Sequence, residues 1–479
     1  MRHTIPSPRR VPPGPPQRRG GVLGDVAYYL RFMRDPMGFV AGRFETYGDL
    51  YYTPTADGGL YVLKHPDHLR EVLATRSASF AKKHTAFETL QKVLGDGLLT
   101  TDGEVWKRHR GMLQPAFNKK RMAGYAAAMA DEARVTEARW GDGQRVDMSS
   151  EMMELTLRIV GRTLFNHTMG SDTDHVKAAM SSFQSLLARP DVLPEWMPSP
   201  QRRKFRRALA SLDAMIYGMV EARRAIDPAA APHDVLQMLL DATVLRPVRQ
   251  AQAQDARAEE GDGGGLTATE VRDHLVTLFL AGHETTSHAL TWALYLLSQH
   301  REAWARLTGE LDAVLGDRMP GYEDLDALPY TEAVMSEAMR LYPPAYMVAR
   351  RAVADTEIGG YQVPAGAEVV AWIYMTHRDP RWYPQPLAFR PERFEPEARA
   401  ALPKMAYLPF GGGPRACIGA GFAMVEARLI LATLARRYRF ELEPGHRVAI
   451  QPRITLVPKG GMPMIVRART RDRAPARGR

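Results

Sequence analysis

Apolar positions recur at three- and four-residue spacing through most of the middle of the chain, the period of a helix with one buried face. This pattern predicts helices over Thr101–Arg110, Ala123–Arg139 and Met148–Leu164, and again over residues 205–226 and 329–341. A break near Pro115 separates the first two. The longest amphipathic run is Thr267–His300, and another helical pattern covers Ala420–Arg436. Strand-like pieces are fewer and short: Asp49–Tyr52, Leu60–Leu63, Glu357–Val363, Glu368–Trp372 and Val448–Leu456. They adjoin turn signals such as Ala56-Asp57-Gly58-Gly59 and Val363-Pro364-Ala365-Gly366. Arg246–Leu266 is polar and Gly-rich, which predicts a surface loop. No self-similar period of a solenoid is visible. The fold class is mainly α with minor β, one large domain over residues 21–466.

Composition supports a globular body: 45% hydrophobic and 25% charged residues in 479. The net charge of +10 and a pI near 9.6 invite a nucleic-acid reading. Its distribution excludes that reading for the body. Residues 1–20 hold five Arg and no acid, and residues 467–479 hold six Arg and one acid. Subtraction leaves 53 basic and 53 acidic residues in 21–466. The excess sits in two tails, both poor in large apolar residues and expected to be disordered. The longest apolar stretches, such as Leu278–Gly282 and Val369–Met375, fall far short of the roughly 18–20 residues that span a bilayer. The N-terminus has no apolar signal core. A cytoplasmic protein without a membrane span is expected. One cysteine, Cys417, rules out an intramolecular disulfide and any multi-cysteine metal site.

That cysteine lies in Phe410-Gly411-Gly412-Gly413-Pro414-Arg415-Ala416-Cys417-Ile418-Gly419, just ahead of a helical pattern. Four glycines and a proline make a tight loop that brings backbone close to something. A thiol before a helix N-terminus feels the positive end of the dipole, which favours thiolate. Arg415 adds a cation two residues away. The pattern F-x-x-G-x-R-x-C-x-G resembles the haem-binding loop of the cytochrome P450 family, and each fixed position is present: Phe410, Gly413, Arg415, Cys417 and Gly419. The resemblance implies haem b as cofactor, Cys417 as its axial thiolate, and Arg415 paired with a propionate. A thiolate pushes electron density onto iron and favours O–O cleavage.

Further segments agree in order and spacing. Glu337-Ala338-Met339-Arg340 and Phe389-Arg390-Pro391-Glu392-Arg393-Phe394 are similar to the family's ExxR helix and PERF segment. They imply a structural network of Glu337, Arg340 and Arg393. Ala281-Gly282-His283-Glu284-Thr285-Thr286 matches the family's oxygen-activating segment. Gly282 in mid-helix costs about 1 kcal/mol relative to Ala, and the two threonines can bond back to the helix. The resemblance assigns catalysis to Thr285, as the hydroxyl, and Glu284, as proton supply; His283 and His288 are not taken as ligands. Trp106 and Arg110 stand at W-x-x-x-R and can face one propionate. Arg350 resembles the family's arginine after ExxR, with Arg351 as competitor. Family position also suggests Phe279, Ala281, Tyr346, Met347 and Leu456 as substrate lining.

These features imply a haem-thiolate monooxygenase that inserts one oxygen atom from O2 into an apolar molecule. No nucleotide-binding Gly motif occurs in a strand–helix setting. Electrons are therefore expected from a ferredoxin or flavodoxin with its reductase. Lys107, Arg108, Lys119, Lys120, Arg121 and Lys404 are candidate contacts for an acidic carrier. The expected protein is a monomer that binds no nucleic acid. Alternatives are a haem-thiolate isomerase or peroxygenase, and a haem or ligand sensor without turnover. The intact Glu284-Thr285 pair argues against each. Fatty acid, terpenoid, steroid and polyketide substrates remain open.

Overall fold

Local chemistry fixes many of the helix starts. Asp35 accepts from the Gly38 N–H at 2.9 Å and Pro36 follows it, so a helix runs Pro36–Tyr47. Ser199 and Pro200 do the same for Pro200–Arg224, with Arg202 N–H donating to Ser199 at 3.2 Å. Sequence periodicity started that helix at residue 205; the cap, rather than the apolar stripe, begins it five residues earlier. Other helices fall close to their expected places: Gly103–Leu113, Lys119–Glu137, Met148–Leu164, Ala268–Gln299, Pro329–Leu341 and Ala420–Arg437. The protein is mostly helical with small sheets. This computed structural model describes residues 10–16, 28, 30–55, 58–82, 85–170, 172–188, 199–243 and 265–469. Most of the expected loop Arg246–Leu266 lies outside them.

The described chain forms two compact units. One comprises the described residues up to Thr85, residues 129–153 and those from Thr285 onward; the other comprises 86–128 and the described part of 154–284. In the first unit, β1 (Leu50–Thr53), β2 (Leu60–Leu63), β3 (Phe80–Ala81), β4 (Val348–Ala352) and β5 (Glu368–Ala371) form a sheet ordered β1-β2-β5-β4-β3. The β2–β5 pair is parallel, with Leu60 opposite Glu368; the other pairs are antiparallel. Successive side chains point to opposite faces. Tyr61 and Leu63 join a core with Leu69, Leu73, Val369 and Leu408, whereas Val62 joins Phe44, Tyr346, Trp372 and Leu456.

Two expected strands are hairpins. Residues 357–363 divide into Thr356–Ile358 and Tyr361–Val363, turning at Gly359-Gly360, and 448–456 becomes Ile450–Pro452 paired with Leu456–Pro458. A further sheet joins Arg145–Asp147, Pro463–Ala468 and Tyr438–Leu442.

The tails differ from expectation at their inner ends. The extended Pro-rich segment 10–16 lies along the sheet: Pro13 O accepts from Tyr52 N and Arg10 O from Gln362 N, each at 3.0 Å. Arg467 is in a strand, and Arg469 pairs with Asp312 at 2.7 Å. Backbone pairing here overrides polar composition.

In the second unit Asp172–Ala188 packs on Pro200–Arg224. Arg223 grips Asp234 through two bonds of 2.6 and 2.7 Å and also donates to Phe165 O. Phe165 stacks on Phe279 with centroids 4.3 Å apart. Arg272 joins three elements, bonding Asp213, Val93 O and Asp273.

Candidate active site

The cysteine loop is fixed by its backbone. Residues Gly413–Arg415 make one 3-10 turn, Ala416 N–H donates to Gly413 O at 3.0 Å, and Cys417 N–H donates to Phe410 O at 2.9 Å. Gly413 has φ of +68°, and a Cβ there would stand 1.7 Å from Leu73 O. Only glycine permits both. Cys417 is exposed, three residues before Ala420–Arg437 begins. Phe410 and Arg415 are half-buried beside it in sequence.

One residue that sequence reasoning missed anchors this loop. His377 Nε2 accepts from Leu408 N–H at 2.8 Å, two residues before Phe410. Burial, then the Arg340 and Arg378 cations, push its pKa down to about 3. It is therefore a neutral acceptor at neutral pH. No motif or periodicity marks it, because its role exists only once two distant segments meet.

The long helix Ala268–Gln299 carries one open stripe. From Val271 to Leu294 every residue is buried except Ala281, Gly282 and Thr285. Their i, i+1, i+4 spacing puts them on one face. Glu284 and Thr286, beside Thr285, are buried. His283 is engaged with Phe279 O through its ring, and its carbonyl accepts from Thr156 at 2.9 Å. The mid-helix glycine has a packing reason: a Cβ on Gly282 would stand 3.2 Å from a Val160 methyl.

The Glu337 network forms without solvent. Arg340 donates to both oxygens of Glu337 at 2.6 and 2.8 Å, and both residues are wholly buried. Its remaining donors reach His377 O, Pro386 O and Ala388 O at 2.7–3.1 Å. Arg390 N–H donates to Glu337 at 2.8 Å, and Arg393 Nε stands 3.5 Å from the same oxygen. Arg393 is thus an outer member of the network, bonded chiefly to Pro384 O and Gln385 O.

Arg350 is buried in β4 and donates to Ala349 O, whereas Arg351 is tied to Glu368 at 3.1 Å. Strand alternation therefore separates the two competitors. Trp106 and Arg110 are half-buried on Gly103–Leu113, and Arg110 Nε donates to Gln114 at 3.0 Å.

The suggested substrate lining residues differ widely in exposure. Phe279 and Leu456 expose no surface, and Tyr346 is buried with its hydroxyl donating to Arg453 O. Phe279 is held by the Phe165 stack, and Leu456 O accepts from Trp292 at 3.0 Å. Ala281 and Met347 are exposed. Among the suggested carrier contacts, Arg108 is committed to Glu270 at 2.6 Å, Lys107 pairs with Glu104, and Arg121 donates to His233 O. Lys119, Lys120 and Lys404 are exposed.

The donor set fits haem. Among the described residues no three His, Cys, Asp or Glu side chains gather as a metal site. A lone thiol, pinned by backbone and flanked by glycines, suits an iron whose other ligands come from a flat macrocycle.

The cytochrome P450 family model matches residues 13–463. The chain is 35% identical to cyclooctatin synthase of Streptomyces melanosporofaciens over 91% of this chain and 92% of that one. It is 33% identical to cyclooctat-9-en-7-ol 5-monooxygenase of the same organism, covering 92% and 93%. It is 32% identical to pentalenene oxygenase of Streptomyces avermitilis, covering 88% and 91%. A match that runs almost end to end, onto relatives sharing about a third of its residues, makes this chain a member of the cytochrome P450 family and a haem-thiolate monooxygenase.

Proposed function

We propose that this monooxygenase oxidises a cyclic terpene hydrocarbon or alcohol, with Thr285 and Glu284 at the centre of the site. The observation that carries the site is the stripe of exposed Ala281 with half-buried Gly282 and Thr285 on a helix otherwise buried from Val271 to Leu294. The names of the relatives support the substrate class. When bound, the haem supplies the oxygen-activating and oxygen-inserting chemistry. Cys417 ligates its iron. Arg415, Arg110, Trp106 and Arg350 hold its propionates, guanidinium being suited to bidentate carboxylate binding. Phe410 packs against its thiolate side. Thr285 holds a water on the open stripe, and the buried Glu284 passes a proton along the helix to the Thr285 hydroxyl. Glu337, Arg340 and Arg393 keep the cysteine loop in place.

Ala281 and Met347, both exposed, are the lining residues this reading retains. Electrons come from an acidic ferredoxin or flavodoxin with its reductase, met by Lys119, Lys120 and Lys404. The protein is read as a cytoplasmic monomer; no described helix is long and apolar enough to cross a membrane.

The reduced protein with carbon monoxide is expected to show the strongly red-shifted Soret band of thiolate ligation, and Cys417→Ala to lack it. A folded, haem-loaded protein without that band overturns the ligand assignment. A panel of terpene hydrocarbons and alcohols, fatty acids, steroids and polyketides is expected to shift the resting Soret band only for terpenes. Thr285→Ala is expected to divert electrons to peroxide; fully coupled turnover removes Thr285 from the mechanism.

A further inference from the structure

Glu270 stands in the first turn of Ala268–Gln299, and its two carboxyl oxygens serve different helices. One closes its own helix: Oε2 accepts from Thr267 N–H at 2.8 Å, while Thr267 Oγ1 accepts from Glu270 N–H at 3.1 Å. This reciprocal cap starts the helix. The other oxygen, Oε1, accepts from Arg108 Nη2 at 2.6 Å and from His109 Nε2 at 3.1 Å. Both donors belong to Gly103–Leu113, the helix of Trp106 and Arg110. Lys107, by contrast, pairs within that helix, with Glu104.

The inner half of this contact is buried. His109 exposes no surface, and the His274 ring meets it edge-on with centroids 4.5 Å apart. The His109 bond, opposed by burial and joined by the Thr267 and Arg108 contacts, holds the Glu270 carboxyl down at about 2. An ionised carboxylate only accepts, so His109 Nε2 carries the proton between them. A partly exposed Arg–Glu pair alone positions little; a buried imidazole bonded to the same oxygen fixes a direction. Trp106 and Arg110 stand one turn apart on one face of their helix, and Arg108 and His109 lie outside that face. Clamping the second pair therefore fixes the rotation of the helix about its axis, and with it the aim of the first pair.

We propose that Glu270 is a positioning residue for haem binding: through His109 and Arg108 it sets the rotation of Gly103–Leu113 and so aims Trp106 and Arg110 at a propionate. This rests on the reading that those two residues hold a propionate. The same carboxylate caps Ala268–Gln299, so one side chain registers the propionate helix against the start of the helix that carries Thr285.

The test uses the holoenzyme and its variants His109→Phe, His109→Gln, Glu270→Leu and Thr267→Ala, with Arg110→Leu as reference. Two readouts report on the haem directly: its rate of transfer to excess apomyoglobin, and the propionate-bending bands of the resonance Raman spectrum. Urea unfolding reports stability. His109→Phe and Glu270→Leu should lose haem several-fold faster and shift the propionate bands in the direction of Arg110→Leu. His109→Gln, whose amide N–H can take the place of the Nε2–H, should stay near the parent in both. Thr267→Ala removes half of the cap only, and should lower the urea midpoint without moving the haem readouts. Because one bond cannot be lost twice, Glu270→Leu with His109→Phe should lose haem no faster than Glu270→Leu alone. Parent-like bands in Arg110→Leu would overturn the propionate reading, and the proposal with it. With those bands shifted, three results overturn the proposal alone: parent-like haem readouts in His109→Phe or Glu270→Leu, His109→Gln losing haem as fast as His109→Phe, or haem loss that follows the urea midpoint through Thr267→Ala as well.

Discussion

At Gly413 a single methyl group decides whether the cysteine loop can close. A Cβ there would meet Leu73 O at 1.7 Å, and the left-handed φ adds a second penalty. Backbone on both sides leaves no flexible side chain to yield. Gly413→Ala should therefore sharply reduce haem loading, read as the ratio of Soret to protein absorbance, while the helical circular dichroism stays near the parent's. A fully loaded Gly413→Ala would remove the steric argument. The glycine was legible in the sequence, but Leu73, its partner 340 positions away, was not. The same scale shows how differently the lining candidates are placed. Phe279 and Leu456 expose no surface; Phe165 stacks on the first, and the Trp292 indole donates to the carbonyl of the second, and no one-dimensional pattern distinguishes lining a cavity from closing a core.

Pro329–Leu341 is a deeply buried helix: from Tyr330 to Leu341 nothing on it is exposed. The Glu337–Arg340 pair inside it has no water to fall back on. Removing one charge from such a pair costs about 3–5 kcal/mol, because the other is left buried without a partner. Arg340→Ala should lower the unfolding free energy measured in urea by that amount or prevent folding. Glu337→Met with Arg340→Leu should recover part of the loss, since a matched apolar pair carries no orphan charge. A double variant no more stable than Arg340→Ala would place the cost in the lost carbonyl contacts instead. The i, i+3 spacing of this pair was visible in the sequence. That it serves as the hub for His377 O, Pro386 O and Ala388 O appears only in three dimensions.

For the whole molecule, charge and acid response separate. The +10 gives no indication of acid stability, because all of the excess lies in residues 1–20 and 467–479. Between pH 7 and 5 the buried histidines respond first. His377 and His274 both have pKa pushed down to about 3, by burial first, with Arg340 and His109 respectively adding to it. The unfolded chain binds these protons near pH 6.5 and the folded chain does not. Stability is therefore full above that pH and is lost as pH falls from about 6.5 towards 3, by up to roughly 1.4 kcal/mol per pH unit for each histidine. Urea midpoints should fall between pH 7 and 5, and His377→Gln should flatten that slope. An unchanged slope would mean that His377 takes up its proton in the folded state.

The sequence by itself determined the local and the periodic. Helix positions followed from the 3.6-residue apolar repeat, the thiolate candidate from a lone cysteine among glycines, and the family from motifs in order. Those signals are short in range, so one dimension carries them. Tertiary structure alone decided which arginine of Arg350 and Arg351 is buried, which lining candidates are core, and which basic residues are already paired. It also brought His377 to Leu408. Each of these depends on which distant surfaces meet and exclude water, and burial changes both the protonation of a side chain and the cost of leaving it without a partner.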